Sequence, residues 1–215
     1  MSDAPNSAPP APRGGDALVT LPAVGLRPAG RPSPAEAAEA VRTLLRYIGE
    51  DPQRAGLVET PDRLVRAWDE YFQGYEQSPT ALLSRTFDEV DGYDGLVVLR
   101  DIRFESHCEH HLAPIVGVVH LAYLPSRQVV GISKLARVVD VFARRLQVQE
   151  RLTAQIAQAI EEGLGSDAVG VAVVAEHHCM TTRGVHRPGV SMATRALRGA
   201  KVAAWRAELL AALAP

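Results

Sequence analysis

The stretch FESHCEHHLAPIVG, residues 104–117, places His107, Cys108, His110 and His111 within five positions, in a chain that has only two cysteines and seven histidines. A purely structural turn calls for Gly, Asn, Asp or Pro rather than this set. Cys108 and His111 lie three apart, so a tight turn can aim both side chains at one ion. Zinc takes thiolate sulfur and imidazole nitrogen in a tetrahedral array. The other cysteine, Cys179, stands in a second histidine-rich stretch, EHHCM. Together Cys108, His111 and Cys179 form a candidate three-ligand site, which is the catalytic arrangement; a structural site would want a fourth protein ligand. The plain alternative is a buried, inert thiol beside a pair of surface histidines. The H-x-E and P-C-x-x-C pattern of zinc deaminases is absent.

Other residues suggest what such an ion would work with. His110 and His177 each adjoin a proposed ligand, and an imidazole is the natural proton carrier near neutral pH. In GISKLAR, Ser133 is a candidate helix N-cap, with Lys134 and Arg137 on the polar face of the first turn. Free backbone N–H groups with two cations make a phosphate cradle. In QVQERL, Gln149 and Glu150 open another expected helix. A carboxylate there can simply favour the helix start, or it can accept from N1–H and the 2-amino group of a guanine edge. Arg63 and Arg66 share one face of a third expected helix, where a solvated basic edge is the plain reading.

The elements that must position these residues follow from periodicity and capping. SPAEAAEAVRTLLRYIG reads as a helix with Ser33 at its N-cap, Pro34 at its first position and Glu36 completing a capping box. Val41, Leu44, Leu45 and Ile48 form its apolar stripe, and Gly49 ends it. TPDRLVRAWDEYF reads as a helix capped by Thr60, with Leu64, Ala67, Trp68 and Tyr71 inward. GLVVLRDIRFES, PIVGVVHLAYLP and RQVVGIS are β-rich, with Pro125-Ser126 as a turn. Helices are expected over SKLARVVDVFARRL and QERLTAQIAQAIEEGLG, strands over AVGVAVVAEHHCM and SMATRALRG, and a closing helix over 201–213. Hairpins, two consecutive helices and further strands predict an α+β fold on an antiparallel sheet. The division expected is a proline-rich disordered arm (1–33), a helical region (34–94) and a catalytic domain (95–215).

Composition sets the outer limits. The chain has 215 residues, 47% hydrophobic and 22% charged, with a net charge of −2. That balance argues against a nucleic-acid binder, and no apolar run approaches the roughly 20 residues of a membrane span. The N-terminus lacks the pattern of a signal peptide, so a cytoplasmic address with two reduced thiols is expected.

In combination TPDR, CEHHLAPIVGVVH, YLP, GISKLARVVDVFARRLQVQERLT and HHCMTTRGV, in this order, resemble GTP cyclohydrolase I of the zinc-dependent type. The resemblance implies a tunnelling fold, an antiparallel sheet with two helices packed on it. It also implies subunits closing a β-barrel, typically as a homodecamer of two pentamers. It places the Zn2+ ligands on Cys108, His111 and Cys179, and the catalytic residues on His110, His177 and Ser133. Guanine recognition falls on Glu150 with Gln149 nearby. Triphosphate contacts fall on Arg63, Arg66, Lys134, Arg137 and Arg183, Arg63 being supplied by a neighbouring subunit. The implied reaction opens the imidazole ring of GTP by hydrolysis, releases formate and forms 7,8-dihydroneopterin triphosphate. A same-fold paralog stopping at the formyl intermediate, and a non-catalytic regulatory nucleotide binder, are the competing readings. His178 departs from the family pattern as a further histidine beside the proposed ligands.

Overall fold

The structure, a computed structural model, describes residues 30–84, 86–87, 93–126 and 129–214. Most of the proline-rich arm, 1–29, therefore lies outside the described residues, as do Arg127 and Gln128 at the start of one expected strand. The chain runs through helices α1 (Pro34–Tyr47), α2 (Thr60–Tyr71) and α3 (Pro79–Leu83) into strands β1 (Thr86–Phe87), β2 (Val97–Cys108), β3 (Pro114–Tyr123) and β4 (Val129–Val130). Helix α4 (Ile132–Ala143), strand β5 (Leu146–Gln147), helix α5 (Gln149–Leu164) and strand β6 (Val169–His177) follow. One-turn helix α6 (His178–Thr181), strand β7 (Ser191–Arg198) and helix α7 (Arg206–Ala212) complete it. This is the α+β arrangement expected from the order of elements.

The main sheet has the order β5-β2-β3-β6-β7. It is antiparallel throughout except for a short parallel pairing of β2 with β5. Register decides which side chains meet. Ser106 lies opposite Ile115, and Ile115 opposite His177. Because side chains alternate along a strand, Phe104, Ser106 and Cys108 share one face with Ile115, Val119, Leu121, Val171, Val173 and His177. Helices α4 and α5 cover that face, burying Leu135, Val138, Phe142, Leu152, Ile156 and Ile160 against it. On the opposite face α7 covers only one end, packing Leu209 against Ala122 and Ala168. Gly117 in β3 is required by close approach: a Cβ there would stand 2.2 Å from the Val174 carbonyl oxygen.

Several expected boundaries move, each for a local reason. The capping box of Ser33 and Glu36 is present as read. Helix α2, however, contains Thr60 as its first residue, with Glu59 in the cap position and no side-chain cap bond. The turns that precede it already end in a Thr60 N–H to Leu57 carbonyl bond. Helix α4 is capped by Gly131, not Ser133, whose place is the second residue of the helix; the Gly131 carbonyl already accepts from Lys134 N–H. The stripe of α1 is only partly buried: Val41 is covered, but Leu44 is 57% exposed and Ile48 68%. Trp68 and Tyr71 of α2 are also partly exposed, because α1 and α2 pack chiefly on each other.

A buried arginine fastens the helical region to the sheet domain. Arg145, 4% exposed, donates through Nε to the Gly74 and Val141 carbonyls and through Nη2 to the Gln77 carbonyl. Its guanidinium also lies 5.8 Å from the Tyr75 ring centroid and 5.1 Å from that of Phe142. Each buried carbonyl left without a donor costs about 1–3 kcal/mol. Arg145→Met should therefore lower the thermal midpoint by several degrees, read by circular dichroism. An unchanged midpoint would mean these bonds are replaced by water.

Candidate active site

The site is assembled where three strand ends meet. Strand β2 ends at Cys108, β3 begins six residues later, and β6 ends at His177. Between the first two, a turn is closed by Cys108 N–H to the Ala113 carbonyl and Leu112 N–H to the Cys108 carbonyl, both 2.8 Å. Leu112 sits at φ 55°, a left-handed backbone that a leucine adopts only when its surroundings impose it. The turn is also tied to α5 by the Glu109–Arg151 ion pair and to β5 by the Glu109 N–H to Gln147 carbonyl bond.

Cys179 was expected inside a strand running to residue 180. The strand stops at His177, and Cys179 is carried by the single turn of α6. That turn swings its thiol back toward β2. The ligand atoms of Cys108, His111 and Cys179 lie within 4.8 Å of one another, and neither cysteine is in a disulfide. Burial pushes the Cys179 thiol up from its ordinary value. The charge of Cys108 and a hydrogen bond to it push the same way, and Arg183 opposes them. Two thiols so close cannot both ionise cheaply without a cation. Two sulfurs and one imidazole nitrogen are a donor set that can hold a metal ion such as zinc with a coordination position to spare.

Around this group the other expected residues are unevenly gathered. His110 is exposed, with Nδ1 3.8 Å from Cys108 Sγ, and its ring centroid lies 6.3 Å from that of His111. Arg183 donates through Nη1 to His111 Nε2 at 2.8 Å, so a cation and one member of the trio are already neighbours. His177 is half-buried; burial lowers its pKa, and the nearby charge of Glu150 opposes that. Glu150, exposed in the first turn of α5, is thus near enough for its charge to act on His177. Ser133 and Arg137 are exposed and Lys134 half-buried at the start of α4. Arg63 and Arg66 stay exposed on α2, Arg63 pairing with Glu59. Gln149 differs most from expectation. It is 1% exposed, and its amide bonds to the sheet and to His177.

Two contributors had no sequence signal for the part they play. Glu176 accepts from Thr181 Oγ1 at 2.9 Å and from Gly189 N–H at 3.2 Å, fastening both ends of the segment that carries Cys179 and Arg183. Those bonds, the Gly189 one first, hold its carboxyl below the usual carboxylate range. His107 points to the opposite face from Cys108 and lies against Tyr71 and Phe72, 4.8 and 5.2 Å between ring centroids. It ties α2 to the strand that ends in Cys108.

The GTP cyclohydrolase I family model matches residues 37–213. The chain belongs to the GTP cyclohydrolase I family. It is 56% identical over 169 residues to GTP cyclohydrolase 1 of Maricaulis maris (strain MCS10), covering 79% of this chain and 82% of that relative. The same identity and coverage hold for GTP cyclohydrolase 1 of Hyphomonas neptunium (strain ATCC 15444). Among solved structures, the archaeosine synthase QueF-Like in the apo form aligns at 23% identity with a TM-score of 0.41, over 48% of this chain and 93% of that one. That likeness is too low to bear on function.

The ligand trio can be tested without turnover. Titration with cobalt(II) should give a thiolate-to-metal absorption band at one ion per chain, and Cys179→Ser should weaken binding by at least about 10-fold with secondary structure unchanged. Because the metal must displace protons from both thiols, affinity should fall as pH falls, and the raised Cys179 thiol extends that loss to higher pH. Undiminished cobalt binding by Cys179→Ser would remove Cys179 from the site.

Proposed function

We propose that this chain is a cytoplasmic, zinc-dependent GTP cyclohydrolase I. In this reading it opens the imidazole ring of GTP by hydrolysis and converts it, with loss of formate, to 7,8-dihydroneopterin triphosphate. The observation that carries the reading is the convergence of Cys108, His111 and Cys179 within 4.8 Å, beside His177 and the Glu150 carboxylate. Bound zinc would supply Lewis acidity and a water of lowered pKa.

The chain's own residues do the rest. Glu150 accepts from guanine N1–H and the 2-amino group, fixing the base edge and setting the distance of C8 from the ligand trio. His177 relays a proton through Nδ1 from the attacking water to N7 as the ring is hydrated, since a neutral ring nitrogen must become a leaving amine. His110, whose Nδ1 lies 3.8 Å from Cys108 Sγ, carries the proton that the formyl hydrolysis requires. Ser133, at the start of α4, orients the ribose side. Lys134 and Arg137 there, with Arg183 beside the site and Arg63 and Arg66 on α2, receive the triphosphate. We take 95–215 as the catalytic part and 34–94 as the helical region that carries Arg66 and supplies Arg63 to a neighbouring subunit.

We propose further that the working unit is a homo-oligomer, a decamer of two pentamers with a closed barrel. Two features support this. The edge of β2 over most of its length and the outer edge of β7 carry no partner strand among the described residues. The exposed stripe of α1 likewise lacks cover among the described residues. Beside the open β2 edge lies a hollow of about 600 Å3 lined by Tyr71, Arg103, Glu105, His107, Asp140 and Arg144 among others. No described helix is long and apolar enough to cross a membrane.

The purified, zinc-loaded chain should convert GTP to equimolar formate and a pterin that fluoresces after oxidation. A formylated pyrimidine as sole product would instead indicate an enzyme that stops halfway, and no product a non-catalytic binder. ATP, lacking the N1 proton and the 2-amino group, would leave Glu150 unpaired and should be turned over about 10⁴-fold less efficiently. Glu150→Gln should cripple GTP turnover with metal content unchanged. Near-normal turnover by that variant would reduce Glu150 to a helix-start carboxylate.

A further inference from the structure

Gln149 belongs to α5, yet its side chain is spent on groups other than a ligand. Nε2 lies 3.1 Å from the Val173 carbonyl, 2.9 Å from the Met192 carbonyl and 3.2 Å from Thr194 Oγ1. Oε1 lies 2.7 Å from His177 Nε2. The direction of every bond in this cluster can be fixed. Thr153 Oγ1 donates its single hydrogen to the Gln149 carbonyl at 2.7 Å, so in the 2.6 Å contact between the two threonines Thr194 donates. Thr194 Oγ1 is then an acceptor toward Gln149. Two carbonyls and that hydroxyl all require a donor, so the amide nitrogen must face them. Turned over, the amide would set its oxygen against two carbonyl oxygens. Oε1 is therefore the atom that meets His177, and His177 Nε2 must carry a hydrogen. The other ring nitrogen, Nδ1, has no protein partner among the described residues.

We propose that Gln149 is a positioning residue that locks the ring of His177 in the tautomer with hydrogen on Nε2, leaving Nδ1 as the nitrogen that meets substrate. Guanine recognition then falls to Glu150 without help from the Gln149 side chain. The lock is rigid because it is anchored in two strands and a helix: Val173 in β6, Met192 and Thr194 in β7, and Thr153 one turn along α5. It acts on the ring's plane as well as its tautomer, since a 2.7 Å bond to Nε2 leaves little freedom to rotate. The consequence for turnover rests on the reading of His177 as a proton carrier, whereas the tautomer itself does not.

The test has two arms. In zinc-loaded full-length protein carrying 15N-labelled histidine, the His177 signals are assigned by difference against His177→Ala. The ring should report hydrogen on Nε2, and Gln149→Met should replace that single state by a mixture. In kinetics, Gln149→Met should lower kcat by about 10²-fold while the KM for GTP moves less than about threefold, because the side chain does not touch substrate. Thr194→Val, which removes one of the three anchors, should give a smaller loss with the same split. A wild-type ring with hydrogen on Nδ1 overturns the proposal, as does a Gln149→Met or Thr194→Val variant whose KM rises while kcat holds. The spectrum of the wild-type protein decides the matter even where a variant fails to fold. If the tautomer is as stated but GTP is not consumed by the wild-type protein, the reading of the reaction fails and the lock stands.

Discussion

One register holds the site together: Ser106 opposite Ile115, and Ile115 opposite His177. It sets the ends of β2 and β6 level on either side of β3, so that Cys108 and His177 emerge on the same face at the same end of the sheet. A slip of one residue would turn Cys108 toward the α7 side and separate it from Cys179. The register is itself held by burial. Ile115, Val119, Leu121 and Tyr123 of β3 and Val169, Val171 and Val173 of β6 are all fully buried, and any slip would exchange them for the opposite set. Gly117 adds a steric pin, because nothing larger fits against Val174 and Ala175.

From that frame the chemistry follows by short steps. The left-handed Leu112 and the bonds across the Cys108–Ala113 turn bring His111 round to the strand end it has just left. The α6 turn, fastened by Glu176 to Thr181 and Gly189, does the same for Cys179. Helix α5 then contributes from two successive positions with opposite fates. Gln149 points into the sheet and holds a histidine, while Glu150 points out and offers its carboxylate. The two side chains diverge by one helical step of about 100°, enough to bury one and expose the other.

The sequence told a good deal about this arrangement, and its failures are informative. The meeting of Cys108, His111 and Cys179 was legible because thiol and imidazole are scarce in this chain and their shared chemistry is narrow. The α1 capping box was legible because it is purely local. Ser133 and Thr60 were misplaced as caps because Gly131 and Glu59 occupy those positions through backbone bonds that leave no mark on residue type. The stripe of α1 was read correctly as apolar but not as exposed, since periodicity marks an apolar face without saying what lies against it, and among the described residues α1 packs chiefly on α2. Gln149 could not be separated from Glu150 by residue type, because its partners lie 24 to 45 positions away in β6 and β7. Arg145 was unreadable for a related reason: an arginine beside Arg144 suggests a solvated pair, and only the fold shows one of them enclosed by carbonyls.

The central claim is that two thiolates and one imidazole hold zinc and leave a position open for water. X-ray absorption at the zinc edge of the loaded full-length protein tests it most directly. The account predicts two sulfur neighbours at about 2.3 Å and two lighter neighbours at about 2.0–2.1 Å, one of the latter lost when His111 is replaced. A shell of nitrogen and oxygen without sulfur, or four protein ligands that leave no place for water, would contradict it.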